Sequence, residues 1–173
     1  MARPMCLRLS SSTRCLAATW ARDNDWNCVV ITSDRDSFAH ISEHTRVLRL
    51  IDGGINGSPL LTPKALQIMY GVPAERYLEF AAVRGDTSDN LPGVKGIGEK
   101  TASVLLTHMG SMQAVWADVE HNQGAALVAA LDSWSEETGA RRIGASTLAR
   151  LQAPDARERY EFNLRLMAGR TDL

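Results

Sequence analysis

Residues 85–102 read Gly-Asp-Thr-Ser-Asp-Asn-Leu-Pro-Gly-Val-Lys-Gly-Ile-Gly-Glu-Lys-Thr-Ala, two acids three positions apart that lead into a glycine-rich turn. Pro92 fixes one backbone angle, and Gly93, Gly96 and Gly98 accept positive φ without a Cβ clash. Glu99, Lys100, Thr101 and Ala102 then enter an apolar-periodic run through Val104, Leu105, Leu106 and Met109. The turn thus opens a helix, and first-turn amides, which lack intrahelical partners, suit a phosphate. Such a cradle positions a protein on a sugar-phosphate chain without reading bases, with Lys95 and Lys100 adding local charge. The plain alternative is a glycine-rich loop between two helices.

A helix over residues 75–89 would place Asp86 and Asp89 one turn apart on a shared face. Two such carboxylates repel, and a divalent cation relieves that repulsion. Capping by Asp89 or Asn90, or a solvated acidic turn, is the alternative. Upstream, Trp-Asn-Cys-Val-Val-Ile-Thr-Ser over 26–33 reads as a buried parallel strand ending at Asp34-Arg35-Asp36, and residues 46–51 offer a second strand. Leu16, Ala17, Thr19 and Trp20 give the preceding helix. Asp34 and Asp36 then sit at a strand's carboxyl end, where α/β folds place their ligands; a local Asp turn is the alternative.

Ser33-Asp34-Arg35-Asp36-Ser37, followed by Gly85-Asp86-Thr87-Ser88-Asp89-Asn90 and the glycine turn, resembles the 5′-nuclease family. These are the 5′-3′ exonuclease and flap endonuclease domains of bacterial DNA polymerase I and of bacteriophages. The resemblance covers about residues 15–120 and implies an α/β fold: a partial, mainly parallel (PIN-like) sheet core, then a helical helix-three-turn-helix subdomain that binds duplex DNA. It implies two divalent metals, Mg²⁺ or Mn²⁺, with Asp34, Asp36, Asp86 and Asp89 as catalytic and metal-binding residues that converge in space. It implies DNA contacts from Arg35, Gly93, Val94, Lys95, Gly96, Ile97, Gly98, Lys100 and Thr101, and a K⁺ in the hairpin.

The family's early strand with a catalytic Asp, and its Glu-Ala-Asp-Asp block, have no match here; Ser11-Ser12-Thr13-Arg14 stands where the block belongs. The expectation is therefore a truncated nuclease, weakly active or inactive alone, with a separate chain as the source of the missing first half. A noncatalytic DNA-binding remnant is the competing expectation. A nucleotide-sugar site at Asp34-x-Asp36 and an adhesive role for Arg84-Gly85-Asp86 are weaker readings, since neither accounts for the turn that follows.

Residues 1–14 match nothing in the family and are expected to form a disordered tail, with a partial nuclease core over 15–60 and a helical region over 61–173 whose hairpin module spans about 75–120. Residues 52–59, rich in Gly and Asn, suggest a linker between these parts. A sheet of two strands would leave Val29, Val30, Ile31 and Leu48 short of cover. Thr62-Pro63 marks a helix start, and Ser111 caps a helix over 112–119. Residues 124–138 and 155–168 show further helical spacing, with Tyr160, Leu164 and Leu166 on one stripe.

The 173 residues, 45% hydrophobic, suffice for a core, and a formal net charge of −1 argues against a general polyanion binder. Three cysteines without close pairing suggest neither disulfides nor zinc, and the four histidines are scattered; a cytoplasmic setting is expected. No apolar run reaches membrane-spanning length.

Overall fold

The computed structural model describes residues 5–7, 11–87 and 89–168, which divide into two compact units. The first holds the described residues up to Met69, Pro73–Tyr77 and the end of the last helix from Met167; the second holds Tyr70–Val72 and Leu78–Leu166. Among the described residues no helix is long and apolar enough to cross a membrane.

In the first unit, β1 (Met5–Leu7), β2 (Cys28–Thr32), β3 (Thr45–Arg49) and β4 (Leu60–Leu61) form one sheet in that order, β1 to β3 parallel and β4 antiparallel to β3. The β-branched run Val29-Val30-Ile31 favours the extended backbone. Its alternation buries Cys28, Val30 and Thr32 on the face that also buries Val47 and Leu61, while Val29, Ile31 and Leu48 are half-covered and Leu60 is 47% exposed. Helix α1 (Ser11–Asp23) precedes β2 and buries Cys15, Ala18 and Ala21. Thr62 Oγ1 accepts from Ala65 N–H at 3.2 Å and starts α2 (Pro63–Tyr70), whose proline sits where a missing N–H costs nothing. Gly71, at φ +72°, follows that helix.

Three expectations are corrected in this unit. Residues 5–7 of the supposed tail pair with β2 and residues 11–14 open α1; the rest of that segment lies outside the described residues. The sheet has four strands, because two short ones escape periodicity analysis, and Val30 is accordingly covered. Residues 52–59 join β3 to β4 within one sheet and include a short 3-10 turn, Ile55–Gly57, so they do not link two bodies.

The second unit is built from α3 (Tyr77–Arg84), the hairpin β5 (Gly85–Asp86) and β6 (Leu91–Pro92), and α4 (Glu99–Met109), α5 (Met112–His121), α6 (Ala125–Thr138), α7 (Gly144–Leu151) and α8 (Ala156–Met167). Its core gathers Phe80, Val83, Leu105, Leu106, Met112, Val115, Leu127 and Leu131, all nearly fully buried. Gly110, at φ +79°, ends α4, and Ser111 Oγ accepts from Ala114 N–H at 3.1 Å to cap α5. Asn163 of α8 is 1% exposed, and its amide donates to the carbonyls of Ala82 and Pro92, each at 3.0 Å, which binds the hairpin to the end of α3. Tyr160 is buried as expected, whereas Leu166 is 53% exposed.

Candidate functional site

Helix α3 stops at Arg84 because Gly85 takes φ +81°, and the chain turns at once into β5. Gly85 pairs with Pro92 and Asp86 with Leu91. The strands meet so closely that a Cβ on Gly93 would stand 2.1 Å from the Arg84 carbonyl oxygen, and one on Gly85 would stand 2.1 Å from Gly93 N. Only glycine fits either place. Asp86 and Asp89 therefore occupy a hairpin and its turn, not a helical face, which corrects the expected helix over 75–89.

Asp86 is 8% exposed and Asp89 is open to solvent, yet a carboxylate oxygen of each lies within 4.8 Å of one of the other. Two hard oxygen donors at this spacing, one of them held in a buried strand, suit a small divalent cation such as Mg²⁺ or Mn²⁺. The donor chemistry of this pair fits the expected metal.

Past β6, Val94 and Ile97 are only 2% and 3% exposed. Val94 N–H donates to Val83 O and Ile97 N–H to Val94 O, each at 2.9 Å. These two residues, expected to touch DNA, are instead the anchors of the turn. Between and beside them Lys95, Gly96, Gly98 and Lys100 are exposed, Gly96 at φ +83°. Gly98 stands at the N-cap of α4 with no side-chain cap, and Ala102 N–H closes the first intrahelical bond onto Gly98 O. The amides of Glu99, Lys100 and Thr101 thus precede any intrahelical partner, at the positive end of the helix dipole. Lys100 Nζ lies 5.4 Å from the Trp134 ring centroid, which braces its stem. Arg84 faces Glu99 at 3.5 Å, bonds Gly85 O at 3.1 Å and stacks on Phe80, holding the two sides of the turn.

Arg150 of α7, which the sequence reading passed over, lies against this turn. A Cβ on Gly96 would meet Arg150 Nε at 2.8 Å. Helix α7 begins with glycine and follows a polar stretch, so neither its existence nor the position of Arg150 had a local signal.

The other two acids belong to the first unit. Asp34 caps the 3-10 helix Arg35–His40: its Oδ1 accepts from Asp36 N–H at 3.1 Å, and its Oδ2 accepts from Arg14 Nη2 at 2.7 Å. Arg14, 9% exposed, also donates from Nη1 to Thr32 Oγ1 at 2.5 Å. Both oxygens of Asp34 are engaged and its charge is matched by a fixed cation, so Asp34 fits a metal poorly. Asp36 is half-buried and Arg35 exposed. The half-buried His40 imidazole is held below its ordinary value, chiefly by partial burial and then by the Arg14 charge, with Asp34 opposing.

The model of the 5′-3′ exonuclease C-terminal SAM fold matches residues 72–153. A thermostable DNA polymerase I of Thermus filiformis is 52% identical over 84 residues, 49% of this chain and 9% of that polymerase. DNA polymerase I of Mycobacterium bovis is 37% identical over 107 residues, 62% of this chain and 12% of that protein. The chain thus spans about a tenth of the length of these relatives, in which the matched segment is part of one long polypeptide. That arrangement gives no support to a separate chain as the source of further nuclease residues.

Among solved structures, a mutant T5 5′-exonuclease superposes with TM-score 0.52 at 14% identity over 92% of this chain and 65% of that one. The catalytic core of Rad2 in complex with a DNA substrate gives 0.52 at 18% identity over 92% of this chain and 48% of that one. T5 5′-exonuclease with bound zinc gives 0.52 at 14% identity over 89% of this chain and 59% of that one. At such identities the likeness speaks for the fold. Residues 72–153, which carry the hairpin and the Asp86–Asp89 pair, are thus similar to the C-terminal SAM-fold domain of 5′-3′ exonucleases.

Proposed function

We propose that this chain serves a metal-dependent 5′-3′ exonuclease or 5′ flap endonuclease, holding duplex DNA by its hairpin and presenting acids to divalent metal. One observation carries the reading: within a single unit, an exposed Lys95–Gly96–Gly98 crest opens directly into uncapped α4 amides, and the Asp86–Asp89 pair lies on the hairpin just before it. Val94 and Ile97 fix the crest from below, so the amides meet a phosphate without rearrangement. Lys95 and Lys100 supply charge where the net charge of the chain supplies none.

Asp86 and Asp89 would hold the ion; the family resemblance gives Asp36, and less well by its own geometry Asp34, a metal-binding role as well. When bound, Mg²⁺ or Mn²⁺ supplies a hydroxide at neutral pH and steadies charge at phosphorus. A K⁺ at the hairpin carbonyls belongs to the same proposal. The relatives' fold includes a DNA-bound Rad2 core and a zinc-bound T5 enzyme, which supports the choice of ligands.

A second reading, a noncatalytic module that retains DNA, is favoured by the Arg14–Asp34 pair, which withdraws one acid from metal chemistry. Incubating 5′-flap DNA with the chain and Mg²⁺, beside an Asp86→Ala variant, separates the two. Cleavage lost in the variant supports the nuclease; retention of DNA by both proteins with no cleavage supports the module; no retention by either defeats both.

A further inference from the structure

Arg150 has a seat made for it. Gly96 takes φ +83°, which favours glycine, and the space its missing Cβ leaves is filled by Arg150: a Cβ there would lie 2.8 Å from Nε, 3.1 Å from Cδ and 3.4 Å from Cζ. The end of the Arg150 side chain therefore lies beside Gly96, where Lys95 and Gly96 are exposed. Its residue is half-buried, and among the described residues it enters no ion pair and no side-chain hydrogen bond. Of the other arginines of this unit, Arg84, Arg142, Arg157 and Arg159 each face a carboxylate, while Arg141 and Arg165, which enter no ion pair among the described residues, are exposed. A half-buried guanidinium with five donors and no acid beside it is open to an external anion, and a planar fork suits a phosphodiester in two-point contact.

We propose that Arg150 is a phosphate ligand of the hairpin, gripping the DNA backbone beside Lys95 from the opposite side of Gly96. The inference rests on the reading of this hairpin as a DNA interface and adds to it a residue of α7, about fifty positions further along the chain. It also assigns Gly96 a second duty, since any side chain there would displace the arginine.

Fluorescence anisotropy of the full chain with a labelled duplex, over a series of KCl concentrations, tests this. Arg150→Gln is expected to weaken binding about tenfold and to lower the slope of log Kd against log[KCl] by about 0.9, one phosphate contact. Arg150→Lys should keep the slope and recover part of the affinity, because the charge stays and the fork is lost. Arg22→Gln, exposed and in the other unit, should match the parent chain. A purely structural role for Arg150 would leave the slope unchanged. The proposal is overturned if Arg150→Gln keeps the parent affinity and slope while Lys95→Gln weakens binding, an outcome that leaves the hairpin reading standing. It is overturned together with that reading if neither substitution changes binding.

Discussion

Arg14 and Asp34, twenty residues apart in the chain, form an ion pair at 2.7 Å that ties helix α1 to the carboxyl end of β2, with Arg14 also bonded to Thr32 at 2.5 Å. The arginine side chain is 10% exposed and the aspartate 37%. At that depth the pair owes little to raw Coulomb attraction; what matters is that either partner alone would leave a poorly solvated charge. The pair fixes the Asp34–Asp36 turn, and so the direction in which Asp36 leaves the sheet.

Arg14→Ala is therefore expected to destabilise the chain by about 2 kcal/mol, with Asp34→Ala costing less because its carboxylate reaches water. The double variant should lie well short of the sum. Urea unfolding of the four proteins gives the cycle, and simple additivity would show the contact to be idle.

His40, half-buried and within the field of the same arginine, makes the fold sensitive to acid. Its folded-state value lies below the ordinary 6.5, so below that pH the unfolded chain binds more protons than the folded one. Stability should hold above about pH 6.5 and fall as the pH drops through the interval beneath it, down to the folded value. Urea midpoints measured from about pH 7.5 down to about pH 5.5 should show this loss. A His40→Asn variant should show a flatter profile.

The hairpin depends on two glycines meeting face to face. Gly93→Ala would drive a methyl group to 2.1 Å from the Arg84 carbonyl oxygen, so the strands must part. A loss of about 3 kcal/mol is expected, with weaker DNA retention. Gly57→Ala, where nothing lies within 4 Å of the added carbon, should change stability by less than about 0.5 kcal/mol. Equal losses at both positions in a denaturation series would argue against the close approach.

Asp118 of α5 serves as a remote cap for α6, accepting from Leu127 N–H at 2.8 Å, from Ala126 N–H at 3.4 Å and from the Asn122 amide at 3.0 Å. These bonds, the Leu127 amide first, hold its carboxyl below the usual range. Its contribution is present above the unfolded-state value and disappears as the pH falls through the folded one. Asp118→Ala should cost about 1 kcal/mol at neutral pH and nearly nothing in strong acid, as followed by thermal melting.

Much of this fold was legible in the sequence for reasons that can be named. Val29-Val30-Ile31, Thr62-Pro63, Gly110-Ser111 and the glycines from 93 to 98 act locally, through side-chain branching, missing amides and positive φ, and the structure places a strand, two helix starts and the turn there. Residues whose partners lie far along the chain were not legible. Arg14 sits in a stretch with no pattern, yet Thr32 and Asp34 give it a place. Val94 and Ile97 looked like part of a DNA-facing crest because a sequence does not say which residues of a turn point inward. The end of α3 was misjudged by one signal, Gly85, which sufficed to move Asp86 from a helix to a strand.

The surface proposed to meet the backbone of DNA is the turn over residues 93–101. Backbone amide chemical shifts of the isotope-labelled chain, followed while a nonspecific duplex is added at low salt, test it most directly. The largest changes are expected at Lys95, Gly96, Gly98, Glu99, Lys100 and Thr101, and they should fade as salt is raised. Changes concentrated elsewhere with this turn silent, or no changes at all, would contradict the account.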